Sequence, residues 1–144
     1  MPNWTTNHFT LEGSEENITH LKHFFASDES VFDFNKILPM PKHSSNFFAK
    51  GSLGEKERKK YGDNNWYNWS ILNWGTKWNA VEASLDADNN NKLEYSFRTA
   101  WDAPRGIIQA LLESCILNKC TNIRWECAHE FEDEIETILK KSSS

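Results

Sequence analysis

Cysteine, proline and glycine are all scarce in this chain of 144 residues, which has three, four and six of them respectively. The cysteines, Cys115, Cys120 and Cys127, are odd in number and do not have the spacing of a disulfide framework. Few glycines and prolines, together with 38 % hydrophobic residues, argue against disorder along the whole chain. We therefore expect one core-forming domain, residues 1–144, in a reducing cytoplasm.

The chain also lacks long apolar runs and an excess of positive charge. No run approaches the roughly 18 residues needed to cross a bilayer, and the first residues do not have the pattern of a signal peptide. The formal net charge is −5. Binding of duplex DNA through a broad basic face is disfavoured, because neutralising phosphates requires clustered Lys and Arg. These absences predict a cytoplasmic protein with no membrane partner.

Aromatic residues are abundant instead, with seven Trp and nine Phe. Six regular segments can be recognised around them. Residues 4–12, 81–86, 93–101 and 122–128 alternate as strands do, with Trp101 expected to face the core, and Asp88–Asn91 predicts a hairpin turn. Helices are predicted from Ser14 to Ser27 and from Pro104 to Cys115. The order predicts a ferredoxin-like βαββαβ α+β fold: a four-stranded antiparallel sheet with two helices on one face.

Two further segments lie outside this pattern. Residues 28–79 form a long insertion after the first helix, and its many aromatic residues indicate that it is packed. Residues 130–144 are acidic and then basic, which favours a short surface helix. We treat the first as a decoration of the domain and the second as its acidic tail.

The insertion ends in a tryptophan-rich block, residues 64–79, that predicts a helix ending near Gly75. In one interpretation its Trp side chains pack the insertion onto the sheet. In the other, some stay exposed and bind a partner, since Trp and Tyr are frequent hot-spot residues. Both can hold for different residues. The candidate partner-binding residues are Trp66, Tyr67, Trp69, Asn73, Trp74, Lys77 and Trp78.

Several segments together resemble one family. They are Met1–Trp4, Phe32–Pro41, Trp66–Trp69, Asn73–Ala80 and Phe97–Trp101. This set is similar to the YubB-like proteins of phages and plasmids, which carry a ferredoxin-like domain of undefined biochemical role. The resemblance implies that fold and an origin in a mobile element. It implies no catalytic residue.

Motifs for known chemistry are few. The chain has no Gly-rich phosphate loop and no Gly-X-Ser-X-Gly or His-Glu-X-X-His motif. Asp86–Asn90 resembles the start of a calcium loop, but Asn91 and Phe97 stand where that loop needs Gly and Glu, so a turn is predicted. His20 and His23 have no third ligand nearby in sequence, and the cysteines lack the paired spacing of a zinc site. We predict no metal, no cofactor and no enzymatic activity.

Recognition of RNA by stacking on the open sheet face loses support, because three of the outward positions considered are acidic and none is aromatic. These positions are Thr6, His8, Thr10, Glu82, Ser84, Glu94, Ser96, Arg98, Arg124 and Glu126. The leading hypothesis is a non-enzymatic accessory protein that binds a host or mobile-element protein, one form being inhibition of a bacterial defence system. The alternative is a binder of nucleotide or single-stranded nucleic acid that combines the block with four cations, Lys56, Arg58, Lys59 and Lys60.

Overall fold

The computed structural model describes residues 3–142 and shows an α+β fold built on one antiparallel sheet. The strands are β1 (Trp4–Glu12), β2 (Val81–Asn89), β3 (Lys92–Ala100), β4 (Asn122–His129) and β5 (Ile135–Ser142). The helices are α1 (Glu15–Phe25), α2 (Glu55–Tyr61), α3 (Trp66–Asn73) and α4 (Arg105–Glu113), with a 3₁₀ turn at Phe34–Lys36. The strand order is β2-β3-β1-β4-β5. The predicted α+β class is confirmed.

Local sequence explains where these elements begin and end. The Ser14 hydroxyl accepts a hydrogen bond from the Asn17 N–H and caps α1, with Glu15 and Glu16 in its first turn. Asn90 and Asn91 form the two-residue turn that joins β2 to β3. In β1, β3 and β4 buried residues alternate with more exposed ones, as expected for a sheet covered on one face.

The predicted four-stranded sheet is wrong in its strand count, because residues 135–142 form a fifth strand instead of a surface helix. Strand β5 pairs antiparallel with β4, so that Leu139 lies opposite Trp125. The β-branched residues Ile135, Thr137 and Ile138 favour a strand. Pairing also covers the edge of β4, which would otherwise expose its backbone N–H and C=O groups. Residues 143–144 of the predicted tail lie outside the described residues.

One face of the sheet carries the core. Helices α1 and α4 contribute Ile18, Leu21, Phe25, Ile107, Ile108 and Leu111 to a cluster with the inward residues of β1, β3 and β4. The insertion contributes Phe32, Phe34 and Trp74 to the same cluster. Phe32 is 0 % exposed. Its ring centroid lies 4.8 to 6.1 Å from those of Phe9, Phe25, Phe34, Tyr95, Phe97 and Trp125.

The opposite face is mainly polar. His8 Nδ1 lies 3.0 Å from the Ser96 hydroxyl, which also donates to Asp86. Arg98 donates to Glu82 at 2.7 Å, and Arg124 pairs with Glu126 at 2.9 Å. Oppositely charged and hydrogen-bonding residues therefore pair with one another across this face.

The two ends of the insertion are tied together by polar side chains. Asp33 Oδ1 accepts hydrogen bonds from the Asn35 N–H at 2.9 Å and from Asn79 Nδ2 at 2.8 Å. Asn79 Oδ1 in turn accepts from the N–H groups of Phe34 and Ala80 at 2.9 and 2.8 Å. Asp33 is 7 % exposed. The start of the insertion, after α1, is therefore held beside its end, just before β2.

We expect Phe32→Ala to lower the free energy of unfolding by about 3–5 kcal/mol, because it removes a buried ring and leaves a cavity among six others. Urea unfolding followed by fluorescence would measure the change. The control is Phe131→Ala, whose ring is 86 % exposed and whose loss should change stability by no more than about 0.5 kcal/mol. Similar losses for both variants would show that Phe32 is not central to the core.

Asp33 predicts a stability change in acid. Burial raises the pKa of its carboxyl, but hydrogen bonds from Asn79, Asn35 and Ser27 together outweigh burial and hold the pKa below its ordinary value of 3.8. A lowered pKa in the folded state contributes stability above the unfolded-state value, and this stability is lost as pH falls through the folded value. We therefore expect Asp33→Asn to cost about 1–2 kcal/mol at neutral pH, with a smaller cost below about pH 4.

Urea unfolding of both proteins at a series of pH values would test this. The control is Asp28→Asn, an exposed position in the same segment, where we expect no more than about 0.5 kcal/mol at any pH. A cost at Asp33 that stays constant down to the acid limit would contradict the assignment.

Candidate functional site

The tryptophan-rich block forms α3 and the turn that follows it, and its ends are well determined. The Asn65 side chain accepts from the Asn68 N–H at 2.9 Å and caps the helix. Gly75 follows with a φ of 82°, a left-handed conformation that favours glycine. The predicted helix and its stop near Gly75 are both found. Thr76 then donates to the Ala100 carbonyl at 2.7 Å and fixes the turn to the end of β3.

Three of the seven candidate residues hold this block in place. Trp74 is 3 % exposed, belongs to the core and donates from Nε1 to the Leu38 carbonyl at 2.9 Å. Trp69 packs edge-on against Trp74 with ring centroids 5.3 Å apart. Asn73 donates to the Trp69 carbonyl within α3. For these residues the packing interpretation fits, and their effect on a partner would be indirect.

The other four candidates, Trp66, Tyr67, Lys77 and Trp78, are partly exposed and close together. The Lys77 ammonium lies 4.5 Å from the Trp78 ring centroid and 5.8 Å from that of Tyr67. Trp66 and Tyr67 contact edge to face at 5.8 Å. Trp66 Nε1 donates to the Gly51 carbonyl at 2.8 Å, so its ring is oriented from one side. The structure therefore brings these four side chains onto one surface.

Two tryptophans that the sequence analysis did not assign to the site extend this surface. The Trp101 ring centroid lies 5.7 Å from the Lys77 ammonium, and the Trp4 ring stands 5.9 Å from Trp78. The Arg98 guanidinium lies 4.9 Å from the Trp4 ring. We call the seven side chains the aromatic surface: Trp4, Trp66, Tyr67, Lys77, Trp78, Arg98 and Trp101.

Their absence from the prediction has a physical cause. The expectation that Trp101 faces the core is wrong: the residue is 45 % exposed and has a φ of 74°. The strand alternation ends at Ala100, and the backbone turn reverses the side chain. Trp4 does follow the alternation of β1, on the face opposite Phe9. Its place in this alternation was the feature of the sequence that predicts an outward side chain.

A concave region adjoins the aromatic surface. Its volume is about 260 Å³. Met40, Ala49, Lys50, Gly51, Trp66, Trp74, Lys77, Trp78 and Asn79 line it. The four cations of α2 that were predicted to assist nucleic-acid binding are not among these residues. Lys59 instead pairs with Glu55 at 3.5 Å, and Lys60 lies 5.1 Å from the ring of Tyr61.

A second group of chemically active side chains lies where the ends of β3, β4 and β5 meet. Cys127 Sγ lies 3.7 Å from His129 Nε2 and 3.9 Å from Glu136 Oε1. His129 Nε2 lies 3.4 Å from the same Glu136 oxygen and 4.0 Å from Asp102 Oδ1. Arg105 bonds to both carboxylates, at 2.8 Å to Asp102 and 3.2 Å to Glu136. We call these five residues the Cys127 cluster.

The electrostatics of the Cys127 cluster bear on catalysis. Burial raises the pKa of the Cys127 thiol to about 11, and the Glu136 carboxylate adds to this effect. Hydrogen bonds from His129 and Arg105 lower the pKa of Glu136. A thiol that stays protonated at neutral pH is a poor nucleophile. The cluster therefore gives no support to cysteine-based catalysis, and the absence of enzymatic activity stays a prediction.

Sequence reasoning missed this cluster because residues 130–144 were assigned to a helix. Cys127 and His129 are two apart on β4 and so share a face. Glu136 reaches that face only because β5 pairs with β4, which places Glu136 opposite Cys127. The spacing Cys127-X-His129 was the feature of the sequence that predicts two possible ligand side chains on one face of a strand.

Comparison of the chain with family models, curated proteins and solved structures gives no match. The resemblance to YubB-like proteins therefore stays a prediction. Among residues 3–142, no helix is long and apolar enough to cross a membrane.

Gly106 in α4 determines how closely α3 and its tryptophans approach the core. A Cβ added there would lie 2.0 Å from the Asn73 carbonyl oxygen, and the Gly106 N–H donates to the Trp74 carbonyl at 3.1 Å. Although Ala normally favours a helix by about 1 kcal/mol over Gly, we expect Gly106→Ala to destabilise by about 1–3 kcal/mol through overpacking. It should also change the near-ultraviolet circular dichroism of the tryptophans.

The control is Gln109→Ala, an exposed position on the same helix, where we expect a change within about 0.5 kcal/mol. Urea unfolding and circular dichroism of both variants give the comparison. If Gly106→Ala stabilised the protein, α3 would not be held against α4 as described.

Proposed function

We propose that this protein acts without catalysis, by binding another protein through the aromatic surface. The observation that carries the proposal is the set of partly exposed rings around Lys77. Trp78, Trp101 and Tyr67 all lie within 6 Å of its ammonium group. Large rings held by neighbouring contacts lose little conformational entropy when a partner covers them, and such residues dominate the energy of many interfaces.

The charges around the aromatic surface favour a protein partner over a polyanion. Arg98 is already paired with Glu82 at 2.7 Å. The polar face of the sheet next to it carries Asp86 and Glu94. Nucleic-acid affinity depends on several free cations that neutralise phosphates. The described surface has many aromatic rings and few such cations.

A second candidate is the binding of a nucleotide or single-stranded nucleic acid. It is favoured by the concave region, where Trp66 and Trp78 stand beside Lys50 and Lys77. An aromatic ring can stack on any base, and a neighbouring cation can contact phosphate. The α2 cations do not line the concave region, so they do not extend the site along a strand. This candidate therefore involves only one or two bases.

The finer assignments also belong to this proposal. The order β2-β3-β1-β4, in which neighbouring strands are antiparallel, supports a ferredoxin-like sheet that β5 extends at one edge. The resemblance to YubB-like proteins supports an origin in a phage or plasmid and action in the cytoplasm of a bacterial host. Inhibition of a host defence system by binding one of its proteins is the form of the function that we propose.

Affinity capture from nuclease-treated bacterial extract, including cells that carry defence systems, tests the proposal. We expect a stoichiometric protein partner whose affinity, measured again with the purified partner, falls by about 30-fold or more in Trp78→Ala and Tyr67→Ala, since a hot-spot residue contributes about 2 kcal/mol or more. The matched control is Leu112→Ala, an apolar residue on α4 that is 48 % exposed. It should leave the affinity unchanged.

Titration of the intrinsic fluorescence with single-stranded oligonucleotides separates the second candidate. Binding that weakens steeply with salt and is lost in Lys77→Ala would favour it. A partner that binds Trp78→Ala and wild type equally would refute the aromatic surface as the interface.

A further inference from the structure

We propose that Cys127, His129 and Glu136 form a binding site for a zinc ion. Each of these residues offers one ligand atom, and the three atoms lie within 4.8 Å of one another. Thiolate, imidazole and carboxylate are all ligands that zinc accepts, and a donor set of sulfur and nitrogen selects zinc over calcium and magnesium. This site is independent of the aromatic surface and of any partner.

The distances fit a tetrahedral ion. Zinc bonds of about 2.3 Å to sulfur and 2.0–2.1 Å to nitrogen and oxygen give edges of roughly 3.3–3.6 Å between ligand atoms. The observed edges are 3.7 Å from sulfur to nitrogen, 3.9 Å from sulfur to oxygen and 3.4 Å from nitrogen to oxygen. An ion placed between them would draw the ligands together by only a few tenths of an ångström.

The backbone fixes the three ligands relative to one another. Cys127 and His129 lie on the same face of β4, and Glu136 is the direct partner of Cys127 on β5. The Thr5 hydroxyl on β1 lies 3.0 Å from His129 Nδ1. When Nδ1 carries the proton and donates to this hydroxyl, the lone pair of Nε2 points toward the other two ligands, as a metal requires.

The net charge of the Cys127 cluster favours the binding of a dication. A Cys127 thiolate and the carboxylates of Glu136 and Asp102 carry three negative charges, and the Arg105 guanidinium carries one positive charge. Zinc would bring this set to neutrality. The balance of the binding step is simple: bonds form from zinc to sulfur, nitrogen and oxygen, and the thiol proton leaves to solvent.

One coordination position faces solvent. Cys127 is 0 % exposed, but the side chains of His129 and Glu136 are 21 % and 44 % exposed. A cavity of about 500 Å³ lies beside them, lined in part by Glu132 and Glu134. This opening supplies a route for the ion and space for a water molecule as the fourth ligand. Three protein ligands with one open position is an arrangement that zinc adopts in proteins.

Zinc binding by the full-length chain tests the proposal, measured by competition with a chromophoric chelator after treatment with EDTA. Cys115→Ser is the background for every sample, because Cys115 is an exposed thiol outside the cluster. We expect one ion per chain. Glu136→Gln and Cys127→Ser should each weaken binding by at least about 100-fold, because losing a direct ligand should cost no less than losing a residue that hydrogen-bonds to a ligand.

Glu136→Gln is the decisive variant, since its side chain is exposed enough that the fold should tolerate the change, whereas Cys127→Ser alters the core. The matched controls are Glu132→Gln and His20→Gln, exposed residues outside the ligand set, which should bind zinc as the background does. Failure of the background to bind one ion per chain would overturn the proposal, as would Glu136→Gln binding with unchanged affinity.

Cobalt in place of zinc identifies the ligands directly. Four-coordinate cobalt with a thiolate ligand gives intense visible absorption and a sulfur-to-cobalt charge-transfer band in the near ultraviolet. We expect both in the Cys115→Ser background and loss of the charge-transfer band in Cys127→Ser. Cobalt bound without that band would show that Cys127 is not a ligand and would overturn the site.

Discussion

The packing of Phe32 among six other aromatic rings is the contact on which the rest of this structure depends. Phe32 belongs to a long insertion, yet its ring lies at the centre of the core between α1 and the sheet. Removing the insertion would therefore leave a hole at the most buried part of the domain. An insertion of this length could not be ordered by its own short helices, because α2 buries none of its residues. The core orders the insertion and the insertion completes the core.

This dependence explains how an exposed aromatic surface can be held in one arrangement. Trp74 is anchored in the same core and Trp69 rests on it, so α3 cannot rotate without opening the core. Thr76 and Asn79 then fix the turn that carries Lys77 and Trp78. Rings that are positioned before a partner arrives cost less entropy on binding than rings on a mobile loop. The buried tryptophans of the block therefore hold the exposed ones in position.

The sequence predicts whatever depends on local patterns and misses whatever depends on distant pairing. The hairpin, the N-cap of α1 and the end of α3 at Gly75 follow from turn chemistry and alternation, and all three are found. Strand β5 is missed because its charges suggest a helix. Its hydrogen bonds to β4, which the sequence does not show, make the segment a strand. The Cys127 cluster is missed for the same reason, since Glu136 joins it only through that pairing. Trp101 is missed because it follows the last residue of β3 and itself adopts a left-handed conformation, which ends the alternation.

Trp101 is also where the two proposed sites approach one another. Its ring contacts Lys77 of the aromatic surface, and the residue lines the cavity beside His129 and Glu136. A left-handed conformation costs a residue other than glycine about 1–2 kcal/mol, so the surrounding contacts must hold it there. A partner that covers the aromatic surface would extend toward the open coordination position of the proposed zinc ion. The two proposed sites are therefore neighbours, although none of the three zinc ligands belongs to the aromatic surface.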